Sequence, residues 1–531
     1  MQNKLVENWL INCKELSFTT PFVQLLITEG YTILRARGGL DEQGKDVIAL
    51  NPAGELCCFQ LKCDNINATE WNKISGQIND LTQLPPIHSS IKTTPKNWKC
   101  YLVTNGTIPS TVQRTIVDYS KAQQATGHMP VETIDREALI TRFVDGYGGF
   151  FPTDTQDLNQ FLQMYCQHGD TTLDRAEFKL FFERWLGSYS TVKSKQKKLE
   201  ALQAAGILCS YLLTNKYVHG NYTEIINAWL LALFTILYYA NEWGIPAKQI
   251  TTIESTILGE IEALFSPLID DVVANTTLMT DSTYGLLSEG LITHKLRCTE
   301  LLGYISAYLN YCGMRNIPPN LTKESAEKLI DLALHKAILG ESSTPLLYNY
   351  IAFLIGANQL QPAAIEITGL LNGLLSSYAD EGAGIPSPYY SLQQSAEWAF
   401  SLKEEDITES FQNRAYCLWP AVLLAARYNL RDLLEHHWLL ISYISNQEVI
   451  ADNANNLLLW RIGDDGMLLD TFPDATQSLK ALVEQSNQNM DEFLPDTLKT
   501  RKYLIPFWII AMPHRCNHKT VFAMLNSLKA S

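Results

Sequence analysis

The stretch "GKDVIALNPAGELCCFQLKC", Gly44 to Cys63, decides the fold. Two short β-prone runs flank a Pro-Ala-Gly turn, and both read as core strands. One nevertheless opens with Asp46 and the other closes with Gln60-Leu61-Lys62. Asp, Gln and Lys are costly to bury in a sheet. Register decides whether these polar groups meet. Pro52 suits the second position of a type I turn, Ala53 the third, and Gly54 the left-handed residue that follows. That is the three-residue hairpin loop with a glycine bulge. Asn51 then pairs with Glu55, Leu50 with Leu56, Ile48 with Cys58 and Asp46 with Gln60. Lys62 lies two residues beyond Gln60 and shares its face. A slip of one residue would send Asp46 to the opposite face, so the turn chemistry makes the three converge.

Helix and strand signals alternate on either side of the hairpin. "TTPFVQLLITEGY" reads as a helix stopped by Gly30, and "YTILRA" as a strand. Asn67 and Glu70 form a capping pair for a helix carrying Trp71, Ile74, Ile78 and Leu81 on one face. "WKCYLVT" is a strand ended by Asn105-Gly106. Ser110 and Gln113 cap the next helix, "VETI" is a short strand and "DREALITRFV" a closing helix. The order α-β-β-β-α-β-α-β-α suits a mixed central sheet flanked by helices on both faces, an α/β domain over residues 1–150.

Beyond "DGYGGFFPTDT" strand signals cease, and residues 151–531 read as a large all-α region. Runs such as "QKKLEALQAAGILCSYLL", "KESAEKLIDLALHKAIL" and "PAVLLAARYNLRDLLEHHWLLISYI" suggest paired helices in a degenerate helical-repeat array. Softer breaks fall near residues 190 and 380, at "GSYSTVKSKQKK" and "SSYADEGAGIPSPYYS".

With 531 residues the chain exceeds one hydrophobic core. Its opening, "MQNKLVENWLINCKEL", has scattered charges and no apolar stretch of the secretory kind. Eleven cysteines without CxxC pairs read as reduced thiols, and a cytoplasmic location is expected. The longest uncharged run, Ile225 to Asn241, is marginal for a bilayer and reads as a core helix, so no membrane association is expected. The net charge of −15 argues against indiscriminate coating of nucleic acid. It is unevenly spread: residues 1–150 hold 14 basic and 15 acidic side chains, the remainder 27 and 41. A polyanion would therefore meet the N-terminal part.

A carboxylate, an amide oxygen and an ammonium brought together suit hydrolysis of a phosphodiester. Asp46, Gln60 and the Leu61 carbonyl offer oxygen ligands to a hard cation, Mg²⁺ with Mn²⁺ as substitute. Such an ion activates water and neutralises charge on the phosphate. Lys62 would orient that water and stabilise the transition state.

Gly-x-Asp followed after a dozen residues by Gln-x-Lys resembles the Mrr-like branch of the PD-(D/E)xK nuclease superfamily. The "GY" lead-in, the helix with Gln77, "LVTNG" with its helix, and "VETIDREALI" fit the same pattern, over about residues 17–146. The resemblance implies a restriction-endonuclease-like fold. It also implies catalytic and metal-binding positions at Asp46, Gln60 and Lys62, with Gln77 supporting. Members of such families often carry a glutamate on the first helix. Here Phe22 is followed by Val23 and Gln24, leaving Glu29 at the helix end as a substitute.

By this reading the chain is a metal-dependent endonuclease, with DNA as the favoured substrate. Arg35, Arg37, Lys73, Lys92, Lys96 and Lys99 would form a phosphate-contacting rim, against the alternative of ordinary solvated surface. The helical region would act as a sensor, oligomeriser or inhibitor that restrains cutting. By resemblance of layout the protein would be an antiphage defence effector that forms a homo-oligomer and answers to a protein partner or phage-derived activator. Two alternatives stay open: a catalytically inactive DNA-binding or assembly module on a helical scaffold, and a nuclease directed at RNA. Elsewhere, His514, Cys516 and His518 have no zinc-site spacing, His436-His437 read as packing or capping, and Lys193 to Lys198 as a solvated helix start.

Overall fold

The hairpin forms with the register its turn demands. In β2 (Val47–Leu50) and β3 (Leu56–Lys62), Leu50 lies opposite Leu56, Ile48 opposite Cys58 and Val47 opposite Phe59. Gly54 sits at φ +79°, its N–H donating to the Asn51 carbonyl at 2.8 Å. The Asn51 side chain adds a clamp, its Oδ1 accepting from the amides of Ala53 at 3.0 Å and Glu55 at 2.8 Å. The structure, a computed structural model, describes residues 2–36, 44–88, 90–91, 93–280, 291–319, 331–338, 340–378, 385–400, 413–461 and 466–530.

The chain divides into two compact units, Met1–Leu264 and Phe265–Ser531. The first holds a five-stranded mixed sheet in the order β1-β2-β3-β4-β5, with β1 (Thr32–Ala36), β4 (Lys99–Thr104) and β5 (Val131–Ile134) joining the hairpin. β1, β2 and β3 are antiparallel neighbours, whereas β3, β4 and β5 run parallel. The parallel half requires crossovers, supplied by α3 (Ala68–Gln83) and α4 (Ser110–Ala125). Asn67 caps α3, its side chain accepting from Glu70 N at 2.9 Å. Ser110 is the first helical residue of α4 and not its cap; Pro109 precedes it and makes no side-chain cap bond.

Alternation along β3 divides its side chains between two cores. Cys58 packs with Ile48, Trp71, Ile74, Ile78 and Leu81 beneath α3 and α4. Each of those α3 side chains contributes roughly 1.5–3 kcal/mol by leaving water. Phe59 points the other way, 5.5 Å from the ring of Phe22 and stacked at 4.9 Å on Tyr101. Phe22 belongs to α2 (Glu15–Thr28), which follows α1 (Gln2–Asn12); α5 (Arg136–Tyr147) lies against both.

The sheet and its helices do not close this unit. α6 (Thr155–Tyr165), α7 (Arg175–Gly187), α8 (Lys195–Leu212), α9 (Thr214–His219), α10 (Tyr222–Glu242) and the start of α11 (Ala247–Thr280) continue it. α2 packs on α8 so closely that a Cβ on Gly206 would come 2.4 Å from Gln24 Nε2. Trp9 donates to Ser210 Oγ at 3.2 Å. Thr20 donates to the buried Glu260 at 2.8 Å, and Tyr217 donates to the other oxygen of that carboxylate at 2.7 Å. Among the described residues one helix, α10, is long and apolar enough to cross a membrane, and 89% of its most apolar window is buried in the fold.

The second unit is mainly helical, with helices such as Leu291–Arg315, Thr344–Gly356, Leu360–Ser376 and His518–Ala530. It is not all-α. Strands β6 (Arg414–Ala415), β7 (Ser445–Ala451) and β8 (Gly466–Thr471) form a sheet in the order β6-β7-β8. The expectation of an all-helical region failed because neither longer strand alternates. β7 buries Ser445, Asn446, Gln447 and Glu448, and β8 exposes Met467, Leu468 and Leu469. The run through residues 418–443 is also two helices, Leu418–Arg427 and Arg431–Tyr443, parted at Asn429 with φ +55°. Asn tolerates that conformation better than most residues. The run at 323–339 and the break near 380 fall largely outside the described residues.

Within this unit Glu341 is wholly buried, its carboxyl facing the backbone N–H groups of Tyr416 at 2.9 Å and Cys417 at 3.2 Å. Burial pushes its pKa up from 4.5 to about 7, with the two backbone donors opposing. Between those values the folded chain keeps a proton that the unfolded chain has lost. Glu341 therefore contributes stability that is present below about pH 4.5 and lost as pH rises to 7. The buried His514 and His518 of the same unit, held below the usual histidine range by burial, contribute in the opposite sense. Urea midpoints measured across that range should rise more, or fall less, with pH in Glu341→Gln than in the natural chain, the difference isolating Glu341.

Candidate active site

Asp46 stands at the entry to β2, where its N–H donates to Phe59 O at 2.9 Å and extends the ladder by one residue. Its carboxylate turns to the neighbouring strand. Oδ2 accepts from Gln60 Nε2 at 2.6 Å and from the Leu61 backbone N–H at 2.5 Å. The register expected from the turn thus brings Asp46 and Gln60 into direct contact. A carboxylate only accepts, so the Gln60 amide must present its NH₂ to it. That leaves Gln60 Oε1 buried without a hydrogen-bond partner among the described residues.

Lys62 closes β3 on the same face as Gln60 and is part-exposed. Among the described residues its ammonium makes no hydrogen bond or ion pair, and its carbonyl accepts from Asn105 N at 3.4 Å. The loop that follows is fixed from the side: Asn105 Oδ1 accepts from Asp64 N at 2.8 Å, and Thr104 Oγ1 donates to Asp64 O at 2.7 Å. Asn105 Nδ2 donates to the carbonyls of Leu10 at 2.9 Å and Cys13 at 2.7 Å. Lys62 therefore projects from a strand end held by both neighbouring loops and the α1–α2 junction.

The segment entering Asp46 is equally constrained, and sequence patterning missed how. Gly44 adopts φ +67°, and a Cβ there would lie 2.2 Å from Gln77 O. Next, Lys45 is buried, with Nζ donating to Asp80 O at 2.9 Å. Burial pulls its ammonium below the usual lysine range, while Cys58, Cys100 and Asp80 oppose. Arg35 on β1 donates to the Lys45 carbonyl at 2.9 Å. No hydrophobic period marks Lys45, because it lies in a strap that has left the strand.

The remaining expected residues scatter. Gln77 is exposed on α3, and its contribution is the backbone oxygen against Gly44. Glu29 is not brought to Asp46. It is held in a two-pronged pair by Arg142, with Nε at 2.7 Å from Oε1. The next residue, Gly30, lies against Pro52 in the hairpin turn, at the opposite end of β2 from Asp46. Lys99 also lies at that end, opposite Cys57, paired with Glu55 at 2.6 Å. Lys73 is exposed and paired with Glu70 at 3.0 Å, and Lys96 is exposed. Arg37 and Lys92 lie outside the described residues. A continuous rim is not formed by Arg35, Lys73, Lys96 and Lys99, since Arg35 braces the strap and Lys99 is at the far strand end.

Thiol chemistry is not available on the hairpin itself. Burial pushes Cys57 up to about 11 and Cys58 up to about 12, holding both as neutral core thiols. His514, Cys516 and His518 are buried in the second unit. His437 accepts or donates at 3.0 Å to Asn372.

Asp46 offers carboxylate oxygens, and Gln60 Oε1 is a buried oxygen without a hydrogen-bond partner among the described residues, so these residues fit a hard divalent cation. The set is sparse in charge: no group of three or more His, Cys, Asp or Glu suited to a metal occurs among the described residues. Among the described residues Asp46 is the one carboxylate hydrogen-bonded to Gln60 and Leu61.

Gly44 provides a test of the strap. Gly44→Ala adds a Cβ against backbone in a left-handed conformation and should destabilise the chain by roughly 2–4 kcal/mol. Urea unfolding followed by tryptophan fluorescence should show this, whereas Gly54→Ala, which meets no atom within 4 Å, should cost less.

Compared with family models, with curated proteins and with solved structures, the chain matches none.

Proposed function

We propose that the first unit is a metal-dependent phosphodiesterase of restriction-endonuclease-like fold, resembling Mrr-like nucleases in its motif and directed at DNA. The observation that carries this reading is the joining of Asp46 and Gln60 by a hydrogen bond of 2.6 Å, with Gln60 Oε1 left buried and without a partner among the described residues. An unsatisfied buried acceptor costs about 1–3 kcal/mol, and a bound cation would remove that cost at Gln60 Oε1.

Asp46 and Gln60 Oε1, with the Leu61 carbonyl, would hold Mg²⁺ or Mn²⁺. Such a cation, when bound, lowers the pKa of water and offsets charge developing on phosphate. The chain's own groups do the rest. The Leu61 N–H and the Gln60 NH₂ fix the Asp46 carboxylate in one orientation. Lys62, uncommitted among the described residues, supplies a positive charge for the phosphate and a donor for the attacking water. One protein carboxylate leaves the cation incompletely neutralised, so phosphate oxygens of the substrate would complete it and resting affinity would be weak.

A second reading, a nuclease-fold module that binds DNA without cutting it, is favoured by the engagement of Glu29 with Arg142 and by the lack of an acidic cluster among the described residues. The helical part would restrain or direct the sheet domain in either case, and a role in antiphage defence belongs to this proposal.

Full-length protein should nick or linearise plasmid with Mg²⁺ or Mn²⁺ and lose that activity with EDTA. Lys62→Ala and Asp46→Asn should each lower the rate by about 100-fold or more, the scale of losing a transition-state contact. Asp46→Asn should also abolish Mn²⁺ binding seen by electron paramagnetic resonance. Cleavage unaffected by both substitutions would exclude this site. Absence of cleavage with DNA binding intact in all three proteins would select the non-cutting module.

A further inference from the structure

β8 ends the second unit's sheet, and its outward edge is paired with no strand among the described residues. An open edge presents a row of N–H and C=O groups that pairs readily with another strand. Native edges are usually blunted by a lysine, a proline or an inward charge, but β8, "GMLLDT", has no such device on its apolar stretch. Its single charge, Asp470, is engaged within the sheet, accepting from Ser445 Oγ at 3.1 Å and from Gln447 Nε2. Met467 is 62% exposed, Leu468 49% and Leu469 38%, so apolar side chains emerge on both faces of the strand.

The surface beside the strand is apolar as well. Phe472, just past β8, is 62% exposed, and on the helix Arg431–Tyr443 Leu439 is 71% and Tyr443 65% exposed. Trp438 of that helix donates to Ala475 O at 2.9 Å, which ties it to the chain leaving β8. Together these six residues expose several hundred Å² of surface, on the order of the roughly 800 Å² per partner of a standard stable interface.

We propose that β8 is the seam of a homodimer, in which two copies of this chain pair antiparallel across a two-fold axis. A second copy meets the requirements of the edge: a strand of the same length, apolar on both faces and unpaired on one side among the described residues. With the axis between Leu468 and Leu469, Leu468 of one copy faces Leu469 of the other and Met467 faces Asp470. No like charges then oppose each other, as directly facing acids would destabilise the pair. The interface is isologous, so pairing uses both edges at once. The sheet's other margin, β6, is only two residues long, which stops growth at two copies.

Light scattering on the full-length chain between about 1 and 50 µM should show twice the 59.9 kDa of one copy at the upper end, as an interface of this size supports micromolar or tighter affinity. Leu468→Lys and, separately, Met467→Asp, which would set an acid opposite Asp470 across the seam, should raise the dissociation constant at least 100-fold while leaving the circular dichroism spectrum and melting temperature of the monomer intact. Hydrogen exchange at residues 467–471 should slow with protein concentration in the natural chain and not in Leu468→Lys. A chain monomeric throughout the range, or a dimer indifferent to both substitutions, would overturn the seam. So would edge protection that is independent of concentration, since that would mean another segment of the same chain covers β8.

Discussion

Two hydrogen bonds into one carboxylate oxygen, Asp46 Oδ2, constrain everything around them. A carboxylate at a strand end pays heavily for lost water unless donors replace it, and charged hydrogen bonds are the strong kind. Meeting the need with the Leu61 amide locks β2 to β3 in a single register. Meeting it with the Gln60 amide sets the orientation of that side chain and hence of Oε1. The strap through Gly44 and Lys45 then has one course open to it, across the face of α3, with Lys45 tethered to Asp80 O and to the Arg35 guanidinium through its own carbonyl. The chemistry of the site and the mechanical fixing of its backbone are the same set of bonds.

The other face of β3 is governed by α2. Phe22 packs on Phe59, one residue from Gln60, while the same helix meets α8 through Gln24 and α11 through Thr20 and Glu260. A helix that serves two layers cannot shift without disturbing both. The sheet and the helices up to Leu264 therefore share one core, and the helical region contributes directly to the rigidity of the strand bearing Gln60 and Lys62.

What was legible in the sequence was local. Asn51, Pro52 and Gly54 specify a turn, the turn specifies a register, and period-two alternation does the rest, so Asp46 could be set opposite Gln60 before any fold was known. The α3 cap at Asn67 followed from the same short-range logic. Contacts across long stretches were not legible. Glu29 looked available to the site, but Arg142, 113 residues away, holds it. Lys99 looked like part of a basic rim, but the parallel pairing of β3 and β4 carries it to the hairpin's turn end. β7 and β8 were invisible because one buries polar side chains and the other exposes apolar ones, the reverse of the pattern by which strands are found.

The bond from Thr20 to Glu260 spans 240 residues of sequence. Translation at about 5–20 residues per second separates the making of those two residues by roughly 10 to 50 s. In the later part of that interval the sheet, complete at Ile134, has been synthesised, yet the outer cover of α2 by α8 and α11 is still being made. Phe22 and the strand beneath it are held from one side only, and the nascent chain carries its Asp46 hairpin in an incompletely supported state. Assembly of this unit thus finishes from the back, with its last helix to be synthesised, α11, setting α2 in place.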